Sequence, residues 1–301
     1  MEIEFNVDAL VPKEMAAKAE TLGVSKVNLG PLRMLALGIL AGAFIALGAI
    51  FATTATAGTA GALPFGVSKL IGGLVFSLGL ILVVGAGAEL FTGNNLIVMA
   101  WASGKVSTAH LLRNWAIVYA GNFLGSILTA VLIMVSKQYT FGSGVIGLNA
   151  LNIAQTKVGY DFFQALALGI LCNALVCLAV WLAIGARSAT DKILAVIFPI
   201  SAFVAAGFEH SVANMYFIPV GLLIKSGASE AFWTAIGSSP ADYATLTWGN
   251  FLVNNLLPVT IGNIIGGSLM VGLVYWFIYL RPDWFAARDD SGEPQPAIAR
   301  E

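Results

Sequence analysis

Long apolar stretches separated by short polar connections run through most of the chain. Six of these stretches are long enough for an α-helix to cross a hydrocarbon core of about 30 Å. They cover residues 32–57, 67–101, 111–135, 162–184, 193–224 and 251–280. This pattern predicts an all-α, polytopic membrane protein with six transmembrane helices, in a membrane domain at residues 31–281.

The composition agrees with this prediction. Hydrophobic residues make up 58% of the 301 residues and charged residues 10%, whereas a soluble domain carries about 25% charged residues. The formal net charge is −1, so nothing favours a nucleic acid as a partner. The lipid bilayer is therefore the predicted surroundings of the chain.

Positive charge is distributed unevenly between the connections, which predicts the orientation of the chain. Eleven of the 15 Lys and Arg residues lie in the N-terminal segment, the second and fourth connections and the C-terminal tail. Because Lys and Arg collect on the cytoplasmic side, both termini are predicted to lie there, at a cell inner membrane. Residues 1–30 then form a cytoplasmic segment, and residues 282–301 a polar tail predicted to be disordered. The first thirty residues lack the pattern of a removable signal peptide.

Two of the six spans are longer than a bilayer requires. At 1.5 Å per residue, the stretch 67–101 would form a helix of about 50 Å. Polar residues interrupt it at 88–95, and similar residues interrupt the stretch 193–224 at 208–214. Non-helical backbone at membrane depth is tolerated only where protein or a water-filled cavity surrounds it. The second and fifth helices are therefore predicted to be broken, with both breaks lining a pathway.

The two halves of the chain carry the same residues in the same order. Matching pairs are Leu37 and Leu168, Glu89 and Glu209, Asn94 and Asn214, Asn114 and Asn255, and Asn122 and Asn263. This indicates a duplication, with repeats at about 31–136 and 160–281. Because each repeat contains three spans, the second enters the membrane from the opposite face, and the prediction is an inverted 3+3 repeat.

His210 is the sharpest candidate for contact with a transported species. It lies inside the second predicted break, and an ionisable residue at membrane depth indicates function. As an imidazolium it would hold an anion or donate a proton to it, and as a neutral ring it would join the interrupted backbone. Thr92, in the first break, offers a hydroxyl that would bond the imidazole, the ligand or the backbone.

Further polar residues surround these two. Glu89 and Glu209 are interpreted as structural groups that accept backbone N–H bonds, and since a lone carboxylate would repel anions, each should be paired or protonated. Asn173 and Asn214 offer amide donors without a fixed charge, although asparagine also joins helices.

Bulky apolar side chains bracket the polar cluster: Phe76, Leu80, Leu90, Phe91, Val176 and Phe203. Such residues usually pack in a core. Placed on either side of a polar midpoint they would instead exclude hydrated ions.

The interior offers no set of groups for catalysis or for holding a cofactor or metal. Cys172 and Cys177 lie five helical positions apart, about 140° around the axis, which fits neither a disulfide nor a metal site. The chain also lacks the two Asn-Pro-Ala motifs of aquaporins. The expectation is a transporter without a cofactor, and not an enzyme.

Four strings resemble motifs of the formate/nitrite transporter family: AELFTG, GILCNALVCLAVW, GFEHSVANMYFIPVG and NNLLPVTIGNIIGG. The resemblance covers about residues 30–281. It implies an aquaporin-like protomer in a homopentamer, with one pore per protomer. It also implies a central histidine at His210 with Thr92 as its partner, constrictions at Leu80, Phe91, Val176 and Phe203 flanked by Phe76, Leu90 and Asn173, and an N-terminal segment that gates.

The resemblance implies a small monovalent anion as the substrate. MYFIPVGLLI and PVTIGNIIGG are similar to the formate branch, so formate is the expected substrate. Gly93, Asn94 and Asn95 replace the Ser and Thr expected in many formate channels, which keeps nitrite and hydrosulfide as alternatives. Whether the anion passes through a channel or is carried together with a proton is left open.

Overall fold

The computed structural model describes residues 8–281, and within that range all regular secondary structure is helical. The first half contains α1 (Pro12–Val27), α2 (Pro31–Ala55), α3 (Phe65–Phe76), α4 (Leu78–Ala86), α5 (Val98–Ala102) and α6 (Thr108–Ser136). The second half contains α7 (Val145–Val158), α8 (Phe162–Gly185), α9 (Ala189–Ala205), α10 (Ser211–Gly227), α11 (Glu230–Ile236), α12 (Trp248–Asn250), α13 (Leu257–Ile264) and α14 (Val274–Tyr279). Short 3₁₀ turns occur at Gly93–Ile97, Gln138–Thr140 and Pro240–Tyr243, and π-helical turns at Phe251–Leu256 and Ile265–Leu273. The tail predicted at 282–301 lies outside the described residues.

Five helical stretches of the described chain are long and apolar enough to cross a membrane: Pro31–Ala55, Phe65–Ala86, Thr108–Ser136, Phe162–Gly185 and Pro240–Tyr279. Each overlaps a predicted span. The remaining predicted span, 193–224, is occupied by α9 and α10, which are 17 residues each. The helices therefore agree with a membrane protein, and the count of six crossings stays a prediction.

Non-helical segments separate α4 from the following 3₁₀ turn and α9 from α10. Each helix ends near a glycine with positive φ, Gly87 at 79° and Gly207 at 75°, a conformation that favours glycine. The polar stretches predicted as breaks begin slightly later than these segments. Asn94 and Asn214 were placed inside them, but Asn94 lies in the 3₁₀ turn and Asn214 in α10.

Closely packed helix pairs frame the two halves. A Cβ atom on Gly125 of α6 would collide with the carbonyl oxygen of Ile39 on α2, and one on Gly266 would collide with that of Ile170 on α8. Such close backbone approach is what small residues permit at helix interfaces. These glycines therefore serve close helix packing.

The N-terminal helix α1 lies against the membrane helices. Met15 is buried beside Trp181, and the Lys18 ammonium donates to the Ile184 carbonyl at 3.0 Å. Val11 is 58% and Leu22 39% exposed, and the buried face of α1 consists largely of small residues beside Met15.

Candidate functional site

Thr92 and His210 meet in the interior of the protein. Their side chains are joined by a hydrogen bond of 2.9 Å between Thr92 Oγ1 and His210 Nε2, although 118 positions separate them in the chain. Thr92 precedes the 3₁₀ turn after α4, and His210 is the N-cap of α10. Both are buried. Each of the two non-helical segments therefore supplies one partner.

The hydrogen bonds of His210 fix its tautomer. Its Nδ1 accepts a hydrogen bond from the Ala213 backbone N–H at 3.0 Å, so Nδ1 keeps its lone pair. The ring proton is then on Nε2, which donates to Thr92 Oγ1. The Thr92 hydroxyl keeps its own proton for a third group. A resident imidazolium would lose the bond from Ala213, so the neutral ring is the form that this geometry favours.

Two large cavities reach the interior without sharing a lining residue. The first, here the His210 cavity, has a volume of about 490 Å³ and includes Phe76, Phe203 and His210 in its lining. The second, the Leu80 cavity, has a volume of about 550 Å³ and includes Leu80 and Leu90. The two cavities are therefore separate, and the protein between them is here called the septum.

The other four predicted pathway residues line neither cavity: Thr92, Phe91, Asn173 and Val176. Val176 is 1% exposed. The Phe91 ring packs edge-on against Tyr119 at 4.8 Å and Trp115 at 6.0 Å, on the α6 side.

Asn173 holds the backbone behind Thr92. Its amide donates to the Thr92 carbonyl at 3.3 Å, to Asn95 Oδ1 at 3.0 Å and to the Asn263 carbonyl at 2.7 Å. The Cys177 thiol also donates to the Thr92 carbonyl, at 3.3 Å. The sequence predicted that the Asn173 amide could donate to a ligand. In the structure it donates to protein acceptors instead.

Aromatic rings cover His210 on the side of its own cavity. The Phe203 ring stacks on the imidazole with 5.9 Å between centroids, and the Phe76 ring meets Phe203 edge-on at 5.8 Å. Half-buried Tyr160 also lines this cavity. Burial raises the pKa of the Tyr160 phenol and the charge of Glu209 raises it further, so Tyr160 offers a neutral hydroxyl.

Glu89 is paired, as its buried position requires. Its carboxylate accepts from Lys26 Nζ at 2.6 Å and from the Asn94 amide at 2.7 Å. The Lys26 ammonium also donates to Asn94 Oδ1 at 3.0 Å, and the Asn94 amide donates to Asn114 at 2.9 Å.

Glu209 has the corresponding partners in the second half. It accepts from Lys157 Nζ at 2.6 Å, from the Asn214 amide at 2.7 Å and from the Asn255 amide at 3.1 Å. The Asn214 amide also donates to Asn255 Oδ1 at 2.8 Å. Both carboxylates and Asn214 therefore stabilise the non-helical segments, and Asn214 lines neither cavity.

The two lysine partners were missed from the sequence, where Lys26 was assigned to the N-terminal segment and Lys157 to a connection. The sequence does contain a signal that the two lysines correspond. Lys26 precedes Leu37 by 11 positions, and Lys157 precedes the matching Leu168 by the same number. Lys26 lies in the last turn of α1 and Lys157 in the last turn of α7, so α1 and α7 occupy corresponding positions before the two predicted repeats.

Asn122 and Asn263 bind the backbone of the two non-helical segments with their side-chain amides. Asn122 accepts from the Phe91 N–H at 2.9 Å and donates to the Gly38 and Glu89 carbonyls. Asn263 makes the equivalent bonds with the Ser211 N–H and the Gly169 and Glu209 carbonyls. Backbone groups freed from helices are satisfied in this way, as a membrane interior demands.

Within residues 8–281, no cluster of three or more His, Cys, Asp and Glu could hold a metal ion. Cys172 and Cys177 are free thiols and both are buried. Helices able to cross a membrane, with one cavity lined by His210 and a second lined by Gly93 beside Thr92, indicate a membrane transport protein.

The chain belongs to the formate/nitrite transporter family, whose model, described as Formate/nitrite transporter, matches residues 13–277. It is 50% identical over 281 residues to the formate channel FocA of Escherichia coli (strain K12), covering 93% of this chain and 98% of that relative. It is 46% identical over 265 residues to the formate channel FocA of Haemophilus influenzae, covering 88% of this chain and 93% of that relative. The resemblance seen in the sequence is confirmed.

Solved structures show the same relationship. A pentameric formate channel with formate bound superposes with a TM-score of 0.80 at 49% identity, covering 83% of this chain and 98% of that one. An ion channel of the same family superposes with a TM-score of 0.72 at 30% identity, covering 88% and 98%. The family and these relatives are transporters or channels, which confirms the prediction of a transporter rather than an enzyme.

Proposed function

We propose that this protein is a formate channel in which formate passes between the His210 and Leu80 cavities at the Thr92–His210 hydrogen bond. The observation that carries the proposal is the position of this bond. It joins His210, which lines the His210 cavity, to Thr92, whose chain neighbour Gly93 lines the Leu80 cavity. The names of the relatives support formate as the substrate.

The proposed role of the pair follows from the cost of desolvation. A bare carboxylate is strongly disfavoured in an apolar surrounding, whereas the neutral acid crosses far more easily. The Thr92 hydroxyl has a proton to donate, because its oxygen already accepts from His210 Nε2. It therefore offers a hydrogen bond to the anion inside the septum.

A proton can be delivered along the same bonds. If His210 Nδ1 takes up a proton from its cavity, the proton on Nε2 passes to Thr92 Oγ1 while the Thr92 hydroxyl proton passes to a formate oxygen. Formic acid leaves, and His210 remains neutral with its proton on Nδ1. The Ala213 N–H bond is lost in that state. The ring returns to its starting tautomer when Nε2 takes up one proton and Nδ1 releases another, with no net change in charge, and the bond from Ala213 then reforms.

The side chains on either side would act as apolar constrictions. Leu80 and Leu90 line one cavity, and Phe76 and Phe203 line the other. Phe91 and Val176 are proposed as parts of the septum that pack behind these residues. Such a barrier excludes hydrated ions, because an apolar constriction does not replace their water.

The proposed architecture is an aquaporin-like inverted 3+3 repeat of six crossings, with the second and fifth broken. Three sets of contacts that occur once in each half support it. They are the Lys–Glu ion pairs, the hydrogen bonds of Asn122 and Asn263 to the non-helical segments, and the close packing at glycines of α2 on α6 and of α8 on α13. By analogy with the pentameric relative, five protomers would each carry one pore. Both termini are proposed to lie on the cytoplasmic side of a cell inner membrane.

Nitrite is the competing substrate, because the family description includes it. Two of the three residues that kept nitrite and hydrosulfide as alternatives are engaged in protein contacts: Asn94 binds Glu89, and Asn95 donates to the Phe91 carbonyl at 3.1 Å. Neither presents a free amide group to a substrate in this arrangement, which weakens the case for nitrite.

The test is uptake of labelled formate and of nitrite by proteoliposomes that contain the purified protein. We expect formate to enter faster than nitrite at equal concentration, and faster than into protein-free vesicles. Preference for nitrite, or formate entry equal to that of empty vesicles, would overturn the proposal.

A further inference from the structure

The charges that line the His210 cavity do not cancel. Two cations, Lys69 and Lys157, and one anion, Glu209, line it. The Lys157 ammonium and the Glu209 carboxylate form an ion pair at 2.6 Å, so at a distance their fields largely cancel. Because His210 is neutral in its hydrogen-bonded tautomer, Lys69 carries the uncompensated positive charge of this cavity.

Lys69 is held by few interactions within residues 8–281. It is the fifth residue of α3 (Phe65–Phe76) and is exposed at the cavity wall. Its ammonium lies 5.4 Å from the centroid of the Phe65 ring. None of the three ion pairs of the described residues includes it. Its charge is therefore available to a solute in the cavity.

We propose that Lys69 attracts the substrate anion into the His210 cavity and so sets the rate at which formate reaches the septum. A charge on the wall of a low-dielectric cleft focuses the field and raises the local concentration of ions of opposite sign. The Lys157–Glu209 pair holds the backbone, and Lys69 supplies attraction. This inference rests on the proposed function, because it specifies how formate enters the same pathway.

The Leu80 cavity has a counterpart in half-buried Lys192, in the first turn of α9. No ion pair of the described residues includes Lys192 either. In that cavity Lys18 and Lys26 also contribute, since Glu89 compensates one cation of three. The His210 cavity, with a single uncompensated cation, gives the cleaner test.

The experiment measures the initial rate of labelled formate uptake by proteoliposomes of uniform orientation, with formate added on the His210 side. Rates are compared at ~0.01 M and ~1 M salt, between which the Debye length falls from about 30 Å to about 3 Å. For Lys69→Gln we expect uptake roughly three- to tenfold slower than wild type at low salt, and equal to it at high salt. Lys69→Arg should keep the wild-type rate.

Lys137→Gln is the matched control. Lys137 follows α6, and its neighbour Gln138 donates to Thr54 near the end of α2, so it lies at the same end of the protein as Lys69. It lines neither cavity. The control should transport formate at the wild-type rate at both salt concentrations.

A second test restores the positive charge at position 69 by chemical modification, so that uptake with and without the charge is measured on one folded variant. In Lys69→Cys, a cationic aminoethyl methanethiosulfonate should raise low-salt uptake severalfold, whereas the neutral hydroxyethyl reagent should not. Both native thiols are buried, so the introduced thiol is the accessible one among the described residues.

The outcomes separate this inference from the proposed function. Wild-type uptake of formate no faster than in empty vesicles overturns both. If wild type transports formate but Lys69→Gln matches it at low salt, or if the deficit of Lys69→Gln is unchanged at high salt, the attraction is wrong and the proposed function stands. Equal effects of the two thiol reagents also overturn the attraction.

Discussion

The two non-helical segments are supported by nearly the same set of contacts, yet they present different side chains to the interior. In one, Glu89 is held by Lys26 and Asn94; in the other, Glu209 is held by Lys157 and Asn214. One position after each glutamate the first segment has Leu90 and the second has His210. The duplicated residues therefore build the scaffold, and the residue that differs is the one for which we propose a role in the chemistry.

The supports also differ in strength. The Lys157 side chain is 14% exposed and its Glu209 partner 2%, whereas Lys26 is 30% and Glu89 8% exposed. Glu209 receives an additional hydrogen bond, from Asn255. The segment that carries His210 is thus held in the drier and better-connected surroundings, which fits the proposed role of His210 as a precisely positioned proton donor.

Lys157→Met should give the largest effect on stability. Removing one partner of a buried ion pair leaves an uncompensated charge and costs about 3–5 kcal/mol. Lys26→Met is the matched control, and because its pair is more exposed we expect a loss of about 1–3 kcal/mol. Thermal unfolding of the purified proteins in detergent measures both. Equal losses would contradict the difference between the two halves, and Lys157→Met with Glu209→Gln should recover part of the loss.

Asn263→Ala and Asn122→Ala should destabilise the protein to the same extent. Each removes an amide that satisfies one backbone N–H and two carbonyls, for a loss of about 2–4 kcal/mol. The two asparagines have matching partners, so unlike the lysines they do not distinguish the halves. The same unfolding measurement checks this prediction. A difference of more than about 1 kcal/mol between the two losses of stability would show that Asn122 and Asn263 are not equivalent.

Of these variants, Thr92→Val should have the smallest effect on stability. Its effect on transport should be larger. The valine leaves the His210 Nε2–H without its partner, at a cost of about 1 kcal/mol. Formate uptake should fall roughly tenfold, since the variant loses the hydroxyl that we propose donates to the anion. Thr92→Ser keeps the hydroxyl and should transport like wild type. Normal uptake by Thr92→Val would remove Thr92 from the pathway.

The sequence predicted most of the fold because its signals are local. Apolar length placed the helices, and repeated residues such as Asn122 and Asn263 indicated the duplicated contacts. The partners of Glu89 and Glu209 were missed because a lysine near a span end is normally interpreted as a solvated charge. Only the fold brings Lys26 and Lys157 to these carboxylates.

The candidate site was predicted less evenly. His210 and Thr92 stand out in the sequence, since polar residues at membrane depth require a reason. Which apolar side chains face a cavity depends on how the helices are rotated against each other. Phe91 and Val176 could not be distinguished in this respect from Phe203 and Leu80 by their residue type.

The most direct test of the account is the effect of a proton gradient on formate uptake by wild type and His210→Asn. Asparagine is a good N-cap, so the variant keeps the start of α10 and loses the group that relays the proton. With entry into protein-free vesicles subtracted, an inward proton gradient should accelerate uptake by wild type and leave the variant unchanged. Equal acceleration of the two proteins would contradict a pathway in which formate meets its proton at the Thr92–His210 pair.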